Sequence, residues 1–284
     1  MIEKNNNVLN RIFTQNTFKE LIEVGDENYY CTVVKRYLNN IESKENGCLI
    51  SEIYTLMRKK YRNEYFYKNT LLNKLLLGVH SLNTATALTE VPICNSKADF
   101  ILINGKAVLY EIKTELDTFD RLEGQINDYY KAFNNVCVVT CESNYKRINS
   151  ILENTNVGIC ILTNRNTIST RKNPIEYNSK LNHETMFKVL RKKEFENILL
   201  KYYGELPETT QFKYYSACFE KFKGIEIKEV HKYMINELKK RNKIDVEEYN
   251  KYVPNELKFI AYFGNYKKDD YRKLNYFLNK KFRG

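Results

Sequence analysis

Two hydrophobic patterns divide the chain. In the first 80 residues and again beyond residue 180, apolar residues recur at three- and four-residue spacing, which is typical of amphipathic helices. Between these segments, apolar residues form short continuous runs bounded by turn residues, which is typical of buried strands. The helical pattern predicts helices over 29–41, 49–61, 64–77, 183–203, 209–223, 227–241, 256–263 and 268–282.

The central segment predicts a layered α/β core. Strands are expected over 86–93, 100–103, 107–112, 136–140, 158–163 and 167–171, with helices after residue 117 and over 144–153. Helices that alternate with buried strands are typical of a mixed β-sheet flanked by helices. The predicted organisation is a helical N-terminal extension over 1–62, an α/β core over 63–175 and a helical C-terminal region over 180–284.

The chain is organised around a predicted β-hairpin, ADFILINGKAVLYEIK, which runs from Ala98 to Lys113 and turns at an Asn-Gly pair. Asp99 opens its first strand, and Glu111 and Lys113 close the second, within otherwise apolar runs. Because strand side chains alternate between faces, Glu111 and Lys113 share one face. A buried unpaired charge costs several kcal/mol, so these groups need partners. The pattern fits either a divalent cation site or an ion-pair network.

The register of the hairpin determines whether the side chains of Asp99 and Glu111 lie on the same face of the sheet or on opposite faces. A two-residue turn would pair Ile103 with Lys106 and place Asp99 opposite Tyr110, on the face away from Glu111. A three-residue loop would align Asp99 with Glu111, with Gly105 able to supply a positive φ. The sequence leaves both registers open, and a functional site requires the second or a bulge.

Asp99, an eleven-residue gap and Glu111-Ile112-Lys113 resemble the D…ExK signature of the PD-(D/E)xK nuclease superfamily. The next segment, TELDTFDRLEGQINDYYKAFNNVCVVT, resembles an uncharacterised group of small bacterial restriction-endonuclease-like proteins in that superfamily. The proline of the superfamily's name is missing before Asp99. The resemblance covers residues 71–163 and implies a restriction-endonuclease-like core.

The resemblance implies a Mg²⁺ or Mn²⁺ ion held by Asp99, Glu111 and the backbone carbonyl of Ile112. Magnesium favours one or two carboxylates, with water and phosphate oxygens completing its coordination. Carboxylates nearby favour the charged form of a lysine, so we expect Lys113 to act through its positive charge rather than as a base.

Four further residues are candidates for supporting roles. Arg121 and Gln125 are one turn apart on the helix after the hairpin, so both can point at one site; a solvent-facing polar stripe is the alternative. Gln125 is an accessory catalytic candidate, and Arg121 a nucleic-acid contact. The superfamily often has an accessory acidic residue where Glu64 stands, although an ordinary surface glutamate is the preferred interpretation. Glu90, in the predicted strand 86–93, is either a neighbour of the metal or a salt-bridged strand residue.

Charge is distributed unevenly along the 284 residues, whose net charge is +11. Residues 1–179 contain 22 Lys and Arg against 20 Asp and Glu, whereas residues 180–284 contain 24 against 15. A basic half suggests contact with a polyanion. Lysines and aromatic residues alternate there, so Lys267, Lys268, Arg272 and Lys273 are candidate nucleic-acid contacts.

Other features narrow the class of protein. Hydrophobic residues make up 43% of the chain, which indicates a folded protein. Seven cysteines show no zinc-ligand spacing, so a reducing cytoplasm is expected. The sequence has no signal peptide, no long apolar run and no Gly-rich phosphate loop, so neither a membrane nor a nucleotide triphosphate is implied. A homodimer is compatible with these features.

The predicted function is metal-dependent hydrolysis of phosphodiester bonds, in DNA rather than RNA. The chief alternative is a module of the same fold that binds nucleic acid without cutting it. A second alternative is an acid–base enzyme acting on a small anion, which the basic, aromatic C-terminal half disfavours.

Overall fold

A computed structural model describes residues 7–23, 29–242 and 244–283. Parts of the predicted N- and C-terminal regions, residues 1–6, 24–28, 243 and 284, lie outside the described residues. The chain forms two compact units, one of residues 1–79 and 243–284 and the other of residues 80–242. The α-helices are α1 Asn7–Ile12, α2 Gln15–Glu23, α3 Tyr29–Tyr37, α4 Asn46–Lys60, α5 Glu64–Leu71, α6 Leu122–Tyr129, α7 Tyr145–Leu152, α8 His183–Val189, α9 Lys192–Tyr203, α10 Gln211–Lys223, α11 Ile227–Lys239, α12 Val246–Tyr252, α13 Lys258–Phe263 and α14 Lys268–Asn279.

The second unit, here called the sheet unit, contains all the described strands. They are β1 Thr86–Leu88, β2 Val91–Ile93, β3 Ser96–Ala98, β4 Phe100–Asn104, β5 Lys106–Ile112, β6 Val136–Thr140, β7 Gly158–Leu162 and β8 Ile168–Lys172. Six of them form one sheet in the order β1-β4-β5-β6-β7-β8, and β2 and β3 form a separate hairpin. The pairs β5–β6 and β6–β7 are parallel, and the other pairs of the large sheet are antiparallel. The sheet is therefore mixed.

Helices cover one face of this sheet. The side chains of Ile101, Leu109, Val138 and Ile159 point into a core that also contains buried residues of α6 to α11. β4, β6 and β7 are almost entirely buried. Strands buried on both faces must be apolar at every position, which explains their continuous hydrophobic runs.

The predicted strand over 86–93 is two strands. Glu90 separates them with a φ of 55°, a left-handed conformation that ends the pairing of β1 with β4. The chain then enters β2, which pairs only with β3. The interpretation of Glu90 as a strand residue was therefore wrong, because the apolar run gave no sign of the turn.

Helix boundaries also differ from the predictions. Asp117 does not cap the helix that follows the hairpin; its carboxylate accepts the N–H and hydroxyl of Thr114, and α6 begins only at Leu122. The predicted helix over 183–203 is broken at Leu190, whose extended backbone ends α8 before α9 begins.

The other unit is helical and contains α1 to α5, a π-helix over Leu72–Leu77, α12, a 3₁₀ turn over Asn255–Leu257, α13 and α14. Fully buried aromatic rings such as Tyr30, Phe66 and Tyr249 fill its interior. Tyr249, Tyr262 and Tyr271 of the basic C-terminal half are thus core residues. α12 was not predicted.

The predicted α/β class is confirmed, since a mixed sheet flanked by helices lies between helical N- and C-terminal regions. The predicted segments 1–62, 63–175 and 180–284 divide the chain differently from the two compact units. Residues 180–242 pack with the sheet, whereas 243–284 pack with the N-terminal helices. In residues 7–23, 29–242 and 244–283, no helix is long and apolar enough to cross a bilayer.

Candidate active site

The pairing of β4 with β5 aligns Asp99 with Glu111. Ile103 pairs with Ala107, and the tip residue Gly105 has a φ of 72°, which glycine adopts without steric cost. This is the pairing of the three-residue loop, and the two-residue alternative is wrong. Extending the register by one residue beyond β4 brings Asp99 opposite Glu111.

A buried ion pair lies at the end of β5. The Nζ of Lys113 is 2.9 Å from Oε1 of Glu111, and the two side chains are 10% and 2% exposed. The same Nζ donates to Oε1 of Gln125 on α6 at 2.8 Å. Three of the predicted residues are therefore in direct contact. Removing one partner of such a pair leaves an uncompensated buried charge, which typically costs about 3–5 kcal/mol.

Tyr129 completes this network from the last turn of α6. Its hydroxyl lies 2.6 Å from Oε2 of Glu111 and 3.0 Å from the carbonyl oxygen of Lys97. Burial, followed by the negative charge of Glu111, raises the pKa of Tyr129, so the hydroxyl remains a donor. Tyr129 was not among the predicted site residues, and this contact was not foreseen. Its position one turn after Gln125 was the available signal.

Asp99 is held by the backbone of the neighbouring strand. Its Oδ2 accepts the N–H of Ile112 at 2.8 Å, and its carbonyl oxygen accepts the hydroxyl of Thr89 at 2.7 Å. The negative charges of Asp99 and Glu111 both raise the pKa of Tyr129, after the larger effect of burial. Asp99 thus belongs to the same cluster as Glu111.

Glu90 also lies near Asp99. Carboxylate oxygens of the two residues are within 4.8 Å of one another. Glu90 forms an ion pair with Lys97 at 2.9 Å, and its side chain is 44% exposed. Glu90 therefore has an ion-pair partner, although not as a strand residue, and its role beside a metal remains a prediction.

Two other supporting residues were predicted, Arg121 and Glu64. Arg121 is exposed at the N-terminus of α6, one turn before Gln125. Glu64 opens α5 in the helical unit, where its carboxylate lies 2.5 Å from Nζ of Lys68. The roles assigned to both remain predictions.

The predicted C-terminal basic residues belong to the helical unit. Arg272 and Lys273 line a groove of about 480 Å³ between α2 and α14, beside Tyr276, which is 74% exposed. Lys268 instead forms an ion pair with Glu248 at 2.9 Å. The contact of these cations with nucleic acid remains a prediction.

Comparison with known proteins gives a family. A sequence model of the family described as bacteriophage P4 protein cII matches residues 57–260, which is more than half of the chain. The chain belongs to the bacteriophage P4 protein cII family. It is 26% identical over 166 residues to "Protein cII" of Enterobacteria phage P4, an alignment that covers 56% of this chain and 61% of the relative. The chain therefore spans about three fifths of the curated relative's length. No solved structure matches.

The donor atoms of this cluster are of the kind that hard cations bind. Asp99, Glu111 and Glu90 offer carboxylate oxygens, which Mg²⁺ and Mn²⁺ prefer. Glu111 accepts one contact on each oxygen, from Lys113 and from Tyr129. A carboxylate has about four lone-pair sites, so Glu111 can keep both contacts and still bind an ion. The residue types at this end of β5 are therefore those that divalent cations prefer.

Proposed function

We propose that this chain is a metal-dependent nuclease of PD-(D/E)xK type that hydrolyses phosphodiester bonds in DNA. The observation that carries the proposal is the contact of Glu111 with Lys113, and of Lys113 with Gln125, beside Asp99. These residue types occur in the order and on the elements that the D…ExK signature requires. A cation in this site would be held by Asp99, Glu111 and the carbonyl oxygen of Ile112.

Each side chain has a distinct role in this proposal. When bound, Mg²⁺ or Mn²⁺ polarises the scissile phosphate and makes a bound water a stronger nucleophile. Lys113 stabilises the negative charge that develops on the phosphate, and Gln125 orients its ammonium group. Tyr129 fixes the carboxylate of Glu111, and Arg121 contacts a neighbouring phosphate.

One observation favours a module that binds nucleic acid without cutting it. The charge of Glu111 is already balanced by Lys113, and its second oxygen accepts the hydroxyl of Tyr129. A carboxylate satisfied in this way is stable without a cation. The two functions share a fold and differ in whether a metal enters the cluster.

The proposed setting is the cytoplasm, with DNA preferred over RNA as substrate. The printed name of the phage relative states no activity, so the proposal rests on the site alone.

The test is digestion of supercoiled plasmid and of single- and double-stranded oligonucleotides, with Mg²⁺, Mn²⁺ or EDTA. We expect cleavage with either metal and none in EDTA. Glu111→Gln and Lys113→Ala should reduce cleavage at least 100-fold. Glu123→Gln, which removes an exposed carboxylate from α6, the helix that contains Gln125, should cleave like wild type. Binding without metal-dependent cleavage would favour the binding module instead.

A further inference from the structure

The sheet unit has a second feature that suits a polyanion, a groove of about 460 Å³ between α9 and α11, here called the α9–α11 groove. Its lining includes Ile198 and Tyr233 and three lysines: Lys201, Lys239 and Lys240. This groove is separate from the basic residues predicted near the C-terminus, which belong to the other unit.

Two of the three lysines have no carboxylate partner in the described part of the chain. Lys201 lies over the ring of Tyr233, with its Nζ 5.0 Å from the ring centre. Lys239 is half-buried, and neither it nor Lys201 has a carboxylate oxygen within 4.0 Å. Lys240 pairs with Glu237, the acidic residue in the lining. The groove therefore concentrates positive charge in a concavity, which raises the local concentration of anions.

The groove is connected to the candidate active site through the edge strand β1. The hydroxyl of Thr86, the first residue of β1, donates to the carbonyl oxygen of Lys239 at 2.7 Å. One residue past the end of β1, Thr89 donates to the carbonyl oxygen of Asp99, also at 2.7 Å. Three residues of extended chain separate these contacts, about 10 Å, or the rise of about three nucleotides on one strand of B-form DNA.

α9 and α11 also cover the sheet face to which Glu111 belongs. Leu199 of α9 and Met234 of α11 pack into the same core as Leu109. Leu109 and Glu111 are two residues apart on β5, so their side chains point to the same face of the sheet. The groove and the carboxylate cluster thus belong to the same side of the sheet.

We propose that the α9–α11 groove binds the phosphate backbone of the nucleic acid on which Asp99 and Glu111 act. The proposal rests on the nuclease function for its choice of partner. Lysines are compact point charges that contact phosphates without reading bases, so this binding is independent of sequence. Such contacts release counterions, and each one steepens the salt dependence of binding by about 0.9 on duplex DNA.

The test compares two double variants of equal charge by duplex DNA binding in EDTA over a range of salt concentrations. One is Lys201→Gln with Lys239→Gln, in the groove. The control is Lys146→Gln with Lys213→Gln, exposed residues of α7 and α10 outside it. We expect the groove variant to reduce the slope of log K against log salt by about 1.8, two contacts at about 0.9 each. The control should keep the wild-type slope, and replacing Lys201 and Lys239 by arginine should restore it. Circular dichroism must show that each variant is folded.

Equal slopes for the groove variant and the control would overturn the proposal, as would wild-type protein that does not bind DNA. Cleavage by wild type with Mg²⁺ is measured separately. A specific loss of slope without any cleavage would support the groove while refuting the nuclease, whereas cleavage with unchanged slopes would refute the groove alone.

Discussion

Replacing Lys113 by methionine tests the buried network at its centre. Methionine keeps the apolar stem and removes the charge, so Glu111 loses its ion-pair partner while its side chain is only 2% exposed. Breaking a buried pair in this way costs about 3–5 kcal/mol. Glu111→Gln should cost a similar amount, about 3–5 kcal/mol, because it leaves the ammonium group of Lys113 buried without its ion-pair partner. The double variant should recover at least about 2 kcal/mol of the single Lys113→Met loss, since no unpaired charge remains.

A divalent cation should compensate for the missing lysine. If Mg²⁺ binds the carboxylates with a Kd of about 1 mM, 10 mM Mg²⁺ stabilises the folded state by about 1.4 kcal/mol. We expect this stabilisation to be larger in Lys113→Met than in wild type. In that variant Glu111 has lost the positive charge of Lys113, and the bound ion replaces it. Glu111→Gln should lose most of the effect.

The free energy of opening is best measured by hydrogen–deuterium exchange of peptides that cover β5, because the chain has two compact units that can unfold separately. The control is Lys131→Met. It breaks a partly exposed pair with Asp128, whose carboxylate also accepts from Asn95 and Ser96, so the loss should be below about 1 kcal/mol. A loss for Lys113→Met no larger than that of the control would refute the reasoning, as would a double variant no more stable than Lys113→Met.

Two further predictions concern other parts of the chain. Burial lowers the pKa of His231 to about 4, so the unfolded state binds a proton more readily than the folded state. The free energy of unfolding should therefore be constant above about pH 6.5 and fall by about 3 kcal/mol by pH 4, as measured by hydrogen exchange of α11. His231→Leu should remove this pH dependence. Replacing Lys267, Arg272 and Lys273 by alanine should weaken DNA binding and flatten its salt dependence by about 0.9 per lost contact, with an unchanged slope marking them as ordinary surface charge. Lys268 is kept in that variant because it pairs with a buried carboxylate.

The sequence predicted the hairpin and the clustering of its charged side chains well, because both depend on short-range signals. Alternation along two strands and an Asn-Gly turn bring Asp99 into line with Glu111 once the register is known. The register itself was undecided, since φ at Gly105 is set by the pairing of both strands. The contact of Gln125 with Lys113 followed the family resemblance, whereas helical spacing alone also allowed a solvent-facing stripe.

The packing of helices against distant parts of the chain could not be predicted from the sequence. Nothing in the helical pattern beyond residue 180 indicates that 180–242 pack with the sheet and 243–284 with the N-terminal helices. Amphipathic spacing identifies a buried face but not the partner that covers it. The positive charge of that half is consequently shared between two units, which is why the α9–α11 groove was not foreseen.

The way in which the cluster is held bears on what it can do. Asp99 is oriented by the N–H of Ile112, Glu111 by Tyr129, and Lys113 by Gln125, so each charged group is fixed by a neighbour on β5 or α6. Groups fixed in advance do not lose side-chain entropy when a ligand binds, which favours both catalysis and tight binding. A purely structural ion pair does not need Gln125 or the alignment of Asp99 with it. The presence of both, around a pair that must stay out of water, favours a site that acts on a ligand over a pair that only stabilises the sheet.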